Sequence, residues 1–447
     1  MKNYTIIGAG LVGSLLAIYL AKRGHKVTIF ERRPDMRKEK TSVGRSINLA
    51  LSDRGWRGLE GVGIVEDVKR VALPMKGRMI HNLKGEQNFQ PYGKEDQAIN
   101  SVSRGGLNVL LMDLAEKNNV EIKFNHRCTH LDLNNGTAGF FIDDENKEIT
   151  HISDLIFGAD GAYSAVRLQM QLSTDRFNYN QYYIEHGYKE LTIPAGENGK
   201  WLLDNNALHI WPRGKFMLIA LPNQDGSFTC TLFFPFEGDP SFNSLKTKEQ
   251  VKNFFEETFT DAVKLMPDLI DEYFSNPTAS LVTVKCFPWS YKENALLIGD
   301  AAHAIVPFFG QGMNCGFEDC TVLNQLMDKF DEDWSKILPE FERSRKPDAD
   351  AIADLAIENF IEMRDKVADP KFLLQKKIEA KFNNKFPEKW TPLYTMVTFT
   401  HEPYSAALAQ GRKHDRIMHE IMAQPNIFEE WDQPWVENKM LELLEKN

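Results

Sequence analysis

Gly8-Ala9-Gly10-Leu11-Val12-Gly13 follows directly on the apolar, β-rich run Tyr4–Ile7. A helical pattern over Ser14–Arg23 comes next, then a second β-rich run, Lys26–Phe30, which ends at Glu31. Gly8, Gly10 and Gly13 permit a tight turn, a close approach of phosphate and close packing of helix on strand. Glu31, 18 residues beyond Gly13, is placed to take ribose hydroxyls. This order of strand, glycines, helix, strand and acid predicts dinucleotide binding. Glu31 favours an unphosphorylated ribose, while Arg32 and Arg33 leave a 2′-phosphate open. A second place of the same kind is Gly299-Asp300, after the apolar run Leu296–Ile298 and ahead of Gly310-Gln311-Gly312-Met313-Asn314. Asp300 could hold sugar-like hydroxyls. The helix predicted from about Asn314 to Met327 would turn its free N–H groups toward an anion. Taken alone, Gly-Asp is an ordinary turn pair. Asp160-Gly161, after Leu155–Phe157, repeats the logic and predicts another ligand-facing corner.

A second group of residues suits an organic acid. Gly77–Leu83 and Gln87–Tyr92 alternate around Lys84-Gly85-Glu86 and predict a hairpin. A three-residue loop would set Arg78 opposite Tyr92, and a two-residue loop would part them. Side by side, they offer a carboxylate a charged fork and a hydroxyl donor; the alternative is a surface arginine beside a half-buried tyrosine. Arg104 opens a helix over Gly106–Lys117, where a cation opposes the helix dipole unless an anion lies nearby. Asn359 falls inside an apolar stripe of Ile352, Leu355, Ala356, Phe360, Met363 and Val367, so its amide needs a partner. His303 is expected to pack or to bond backbone.

The elements that must position these groups follow a simple order. A dinucleotide-binding fold begins the chain and is resumed by a strand at Ala295–Ile298. Between about Phe177 and Val284, aromatics alternate with polar residues, which predicts an antiparallel sheet with a helical insertion near Lys248–Thr258. After Asn314 the chain reads as mostly helical. The expected fold class is α/β: a Rossmann-like domain from residues 1–72, 99–176 and 285–347, an inserted antiparallel sheet domain from 73–98 and 177–284, and a helical region over 348–447. A net charge of −10 and an isoelectric point near 5.7 argue against a nucleic-acid partner. Five cysteines with no Cys-x-x-Cys pattern disfavour both a disulfide framework and a zinc site. No signal peptide and no long apolar run are present. The chain is therefore expected in the cytoplasm, without a membrane span.

Gly8–Gly13, Asp160-Gly161 and Gly299-Asp300, in this order over the first 320 or so residues, together resemble the group A flavoprotein monooxygenases. The stretches Gly44–Ser52, Gly77-Arg78-Met79, Phe89–Gly93, Val306–Asn314 and Asn359–Arg364 resemble the kynurenine-hydroxylating branch of that family across nearly the whole chain. The resemblance implies bound FAD, NADPH as co-substrate, and O2. It implies hydroxylation of L-kynurenine to 3-hydroxykynurenine through a flavin hydroperoxide, with no side chain serving as catalytic acid or base. Arg78 and Tyr92 would hold the substrate carboxylate, with Asn359 and Tyr394 in the same pocket. For FAD it implies Val12, Glu31, Arg32, Ala50, Arg104, Asp300, Met313 and Asn314, beside the glycines Gly8, Gly10, Gly13 and Gly312. In that setting Pro307-Phe308-Phe309 would wall the flavin face, with Pro307 and Phe308 against the substrate. Eukaryotic members of the branch carry a C-terminal membrane anchor, and this chain ends in a short amphipathic helix instead. The alternatives are a hydroxylase of another aromatic acid, and a flavoprotein serving as a redox or interaction module.

Overall fold

In the computed structural model, described for residues 1–38, 47–93, 97–366 and 369–446, the architecture is the expected α/β one. Part of one resembling stretch, Gly44 to Ser46, lies outside the described residues, as does Val367. The apolar run at the start becomes the strand Asn3–Ile7, in the middle of a six-stranded sheet. It pairs in parallel with Lys26–Phe30 on one side and Leu155–Gly158 on the other. Leu155–Gly158 in turn pairs in parallel with Ala295–Leu297, so the chain rejoins this sheet beside the strand ending at Asp160. The glycine loop, the Asp160 turn and the Gly299-Asp300 turn therefore leave the same edge of neighbouring strands, where open parallel sheets place ligands. These strands are buried on both faces and read as continuous apolar runs for that reason.

Helix Leu11–Lys22 and helix Gly312–Lys329 pack together over this sheet, with helix Asp53–Glu60 against the latter. A seven-stranded sheet forms the second layer, in the order Ala279–Phe287, Asn178–Ile193, Phe228–Pro235, Met217–Pro222, Ala207–Pro212, Gly77–His81 and Gln87–Pro91. It is antiparallel apart from the parallel pairing of Ala207–Pro212 with Gly77–His81. Helices Lys248–Thr258 and Leu269–Ser275 cover one face around Trp211, Phe228, Phe234 and Phe255. The other face packs on Phe308, Phe309 and the helices after them. Helix Trp334–Ile361 runs through Pro339 and Pro347 and passes into a wide π-type turn, Glu362–Lys366. Helices Pro370–Lys385, Tyr404–Met422, Ile427–Glu430 and Pro434–Lys446 build a further core around Trp390 and Phe382, while helix Leu393–Phe399 packs with Phe308, Phe309 and Tyr92. Among the described residues, no helix is long and apolar enough to cross a membrane.

Four expectations change in detail. The hairpin turns one residue earlier than expected, through Leu83-Lys84-Gly85, with the Asn82 amide donating to the Glu86 carbonyl, so Arg78 pairs with Gln90 and not with Tyr92. The Tyr92 amide donates to the Lys76 carbonyl one step beyond, which leaves Tyr92 diagonal to Arg78 on the same face. The Asp160 carboxylate is bonded locally: it accepts from Ser164 Oγ and the amides of Ala165 and Val166, closing the start of helix Ala165–Ser173. The stretch after Gly299 is not all loop, since Asp300–His303 makes one helical turn and Pro307–Phe309 another, tighter one. The strand Lys147–Ile152 was not foreseen, because it lies largely at the surface and lacks an apolar face.

Burial makes two histidines sensitive to acid. His209 is pushed down to about 4 by burial, against the pull of the Asp204 carbonyl. His414, stacked at 3.7 Å on Trp390, is likewise pushed down to about 4 by burial and by Lys413 and Lys376. Both are neutral when folded, and in the unfolded chain each takes a proton once the pH falls below the ordinary value of 6.5. The stability they allow is complete above pH 6.5 and is lost toward pH 4, at about 1.4 kcal/mol per pH unit for each. Melting temperature followed between pH 7 and 4.5 should fall, and His414→Leu should flatten part of that slope. Equal slopes for the two proteins would exclude His414 as a cause.

Candidate active site

Two ligand-binding regions meet at the loop Gly299–Asn314. The first is built on the glycine turn. Gly8 has a φ of +109°, and a methyl group there would lie 2.5 Å from the Ala159 carbonyl oxygen. Above Gly10 there is open space, and helix Leu11–Lys22 starts without a capping side chain. Its first intrahelical bond is from the Ser14 amide to the Gly10 carbonyl, so the amides before Ser14 face the opening. Glu31 lies at the side of this turn. Its Oε2 accepts from the Ala9 amide at 2.9 Å and its Oε1 from Arg33 Nε at 2.8 Å. Burial pushes the Glu31 carboxyl up, but the Arg33 guanidinium and the Arg33 and Ala9 amides outweigh it and hold it below the usual range. Arg33 thus serves Glu31, while Arg32 is exposed.

The second part of the same cleft comes from Gly299 onward. Gly299 has φ +60° and ψ −142°, a conformation only glycine adopts readily, and an added methyl would lie 3.0 Å from Val12 Cγ2. This brings Val12 and Asp300 together. Asp300 is open to solvent yet surrounded by protein, as the wall of a deep recess is. Desolvation raises its carboxyl, opposed by the charges of Arg104 and His303. Arg104, exposed at the start of helix Arg104–Lys117, therefore reaches the same recess electrostatically. Asn314 is fully buried: its Oδ1 accepts from the Ser52 amide at 3.0 Å, and its Nδ2 donates to the carbonyls of Ala50 at 2.8 Å and Gly310 at 2.7 Å. Its side chain clamps the strand Asn48–Leu51 to the loop. Ala50, Gly312, Met313 and Asn314 are thereby brought to one place, at the uncapped start of helix Gly312–Lys329. Two uncapped helix starts, an acid at either end and open space above Gly10 fit an elongated ligand carrying a diphosphate.

The second region is aromatic and holds one cation. Tyr92, Tyr394 and Phe309 form a column, with successive ring centroids 5.4 Å apart and planes within 18° of parallel. The Arg78 guanidinium lies 4.6 Å from the Tyr394 ring centre and 5.6 Å from that of Tyr92. Arg78 Nε is buried and makes no hydrogen bond among the described residues. Burial disfavours the Arg78 charge, but Tyr394, Tyr92 and Glu362 outweigh this and raise it further. Burial also raises the Tyr92 phenol well above its ordinary value, with Tyr394 adding to the effect, so it remains a donor. Asn359 finds the partner its place on an apolar stripe demands: its Nδ2 donates to the Phe308 carbonyl at 2.7 Å and touches Met363 Sδ at 3.3 Å. The Phe308 ring stacks on Phe360 at 4.0 Å and lies 4.9 Å from Phe233. Pro307, at the start of that tight turn, is half-buried.

Two features of this region were not read from the sequence. Glu362 acts on Arg78 from the turn after Asn359; its spacing of three from Asn359 was the available signal. His303, expected to pack or to bond backbone, donates instead to Asp319 Oδ2 at 2.6 Å. Burial disfavours its charge, but Asp319 and Cys315 outweigh that and raise it well above the ordinary histidine range. Asp319 also accepts from the Gly299 amide at 3.2 Å and from Arg345 Nε at 2.8 Å. His303 is thus part of the support behind the loop and does not face the cleft.

A family model described as an FAD binding domain matches residues 3–356 of this chain. Kynurenine 3-monooxygenase of Flavobacterium johnsoniae is 53% identical over 441 residues, covering 99% of this chain and 98% of the relative. Kynurenine 3-monooxygenase of Myxococcus xanthus is 51% identical over 419 residues, covering 93% and 90%. Among solved structures, that of 2-methyl-3-hydroxypyridine-5-carboxylic acid oxygenase superposes with a TM-score of 0.67 at 19% identity, over 83% of this chain and 94% of that one, a likeness of fold. The cleft between Gly8–Gly13 and Gly299–Asn314 accordingly belongs to an FAD-dependent monooxygenase, and the chain is a member of the kynurenine 3-monooxygenase family.

Proposed function

We propose that this protein hydroxylates L-kynurenine to 3-hydroxykynurenine, with NADPH and O2 as co-substrates. The observation that carries the substrate reading is the buried Arg78 Nε, without a hydrogen-bond partner among the described residues, beside two tyrosines. A buried guanidinium donor left unpaired is costly, and a carboxylate satisfies it in a forked geometry. In this reading Arg78, Tyr92 and Tyr394 take the substrate carboxylate, and Glu362 faces the α-ammonium group. The Asn359 amide nitrogen is occupied by the Phe308 carbonyl, which turns its oxygen to an incoming N–H such as the ring amine. Pro307 and Phe308 press on the ring, and Phe360 and Phe233 keep Phe308 in place.

Bound FAD, reduced by NADPH, supplies the activated oxygen. Gly8, Gly10, Val12 and Gly13 would hold its diphosphate, Glu31 and Arg32 its adenosine side, and Ala50, Arg104, Asp300, Gly312, Met313 and Asn314 its flavin side. The protein's part in the reaction is orientation and exclusion of water. A ring bearing an amine is electron-rich enough to need no ionisation by a side chain, so no residue is assigned as acid or base. The alternative is a hydroxylated benzoate substrate, which carries a carboxylate for Arg78 but no α-ammonium group. All five cysteines are free thiols, which goes with a reducing cytosolic setting.

Purified protein should carry flavin absorbance, and L-kynurenine should stimulate NADPH oxidation with formation of hydroxylated product. Stimulation by a hydroxybenzoate instead would replace this reading. Arg78→Ala should raise KM for L-kynurenine about thirty- to a hundredfold, as loss of a charge-assisted pair does. Binding of L-kynurenine undiminished in that variant would exclude Arg78 as the carboxylate anchor. Asn359→Ala should release Phe308 and raise hydrogen peroxide formed per NADPH consumed, with a smaller change in KM. Unchanged coupling of NADPH to product would show that the Asn359 bond does not hold the wall.

A further inference from the structure

Arg54 touches neither region of the site, yet it is fully buried and joins them. Its Nη1 donates to Glu318 Oε1 at 2.6 Å, on the helix that begins at the cofactor loop. Its Nε donates to the Val397 carbonyl at 3.0 Å, and its Nη2 to the carbonyls of Met396, at 3.4 Å, and Glu402. Met396 and Val397 lie in the last turn of helix Leu393–Phe399, where carbonyls have no partner within the helix. Arg54 therefore caps the helix that carries Tyr394. Its guanidinium also lies 3.9 Å over the Tyr404 ring, and the Tyr404 hydroxyl donates to Gln311 Oε1 at 2.9 Å, next to the first turn of helix Gly312–Lys329. Behind these, Arg345 Nη1 donates to Glu318 Oε2 at 2.8 Å, and Asp348 Oδ1 accepts from the Ser405 amide at 3.0 Å. The segment from Leu393 to Ser405 is thus bonded to the same helix whose start faces the cofactor.

We propose that Arg54 and Tyr404 are positioning residues that link FAD binding to the docking of the segment carrying Tyr394. FAD that orders Gln311 and the start of helix Gly312–Lys329 holds the acceptors this segment needs. Linkage is reciprocal: a loosened segment weakens FAD binding to the same degree that absence of FAD loosens the segment. The substrate pocket is then completed only when the cofactor is in place. This inference rests on the cofactor and pocket assignments above, but not on the identity of the substrate.

Tyr404→Phe removes one hydroxyl and keeps the ring under Arg54. Release of flavin from the holoprotein on dilution, followed by flavin fluorescence, should show FAD affinity reduced about three- to tenfold, the worth of one such bond. Hydrogen exchange should show amides 393–405 slowed by FAD in the parent and less so in the variant. Gln311→Met should lose at least as much, since Gln311 Oε1 also accepts from Ser52 Oγ at 3.5 Å, and the double variant should be no weaker than Gln311→Met alone, because the Tyr404 bond is removed once. Arg54→Lys should lose more, and Tyr404→Phe still decides the matter where that variant does not fold. FAD bound as tightly by Tyr404→Phe as by the parent, losses that multiply in the double variant, or exchange at 393–405 indifferent to FAD would each overturn the linkage. A parent protein that binds no FAD would instead overturn the cofactor assignment itself.

Discussion

Six charged side chains meet in the interior of this protein with their charges in balance. Arg54, Arg345 and the raised His303 face Glu318, Asp319 and Asp348 through bonds of 2.6 to 3.4 Å. Burying one such charge is costly, and removing one partner strands the others in a medium that solvates them poorly. The balance therefore fixes relative positions more than it adds stability. The six come from four places: Arg54 from the helix after strand Asn48–Leu51, His303 from the turn after Gly299, Glu318 and Asp319 from the helix that follows, and Arg345 and Asp348 from the long helix beyond. The loop Gly299–Asn314 is held from behind by this cluster. Its glycine at +60° is kept in place partly because Asp319 takes the Gly299 amide.

In front of the loop, the requirements reverse. The glycine turn offers free amides and open space, and the aromatic region offers apolar walls around the buried Arg78. Phe309 joins the Tyr92 and Tyr394 column, while Phe308 packs toward Phe360 and Phe233. Two adjacent residues of one tight turn thus pack against two different aromatic groups. The sheet supplies Arg78 and Tyr92, and the C-terminal helices supply Asn359 and Tyr394. Neither layer forms the chamber alone.

The parts of this arrangement legible in sequence were those set by local rules. Gly8–Gly13 with Glu31 predicted its strand, turn and helix, because parallel strands and their loops have strict glycine needs. Asn359 stood out because an amide on an apolar stripe must find a partner, although only the fold could name the Phe308 carbonyl. Arg78 and Tyr92 were paired correctly in face but not in register, because the three-residue turn falls on Leu83-Lys84-Gly85, with Gly85 at its left-handed position, one residue earlier than Lys84-Gly85-Glu86. Asp160 looks like Asp300 in sequence, and only the fold shows that a serine four residues on and two amides bond its carboxylate. The charged cluster was not legible at all. Arg54 and Arg345 are separated by 291 residues and look like ordinary helix-surface arginines, so only long-range packing brings them to Glu318.

The bonds from Asn359 and Phe360 to a single residue have a consequence for how this chain tolerates change. Asn359 holds the carbonyl of Phe308 and Phe360 holds its ring, so both ends of that residue depend on the rotational phase of one helix. That helix runs from Trp334 to Ile361 and keeps its course past two prolines. Each residue inserted or deleted before Asn359 would turn the pair by about 100° away from Phe308. Its outward face can vary freely in composition, but its length cannot vary by a single residue without moving the wall of the chamber.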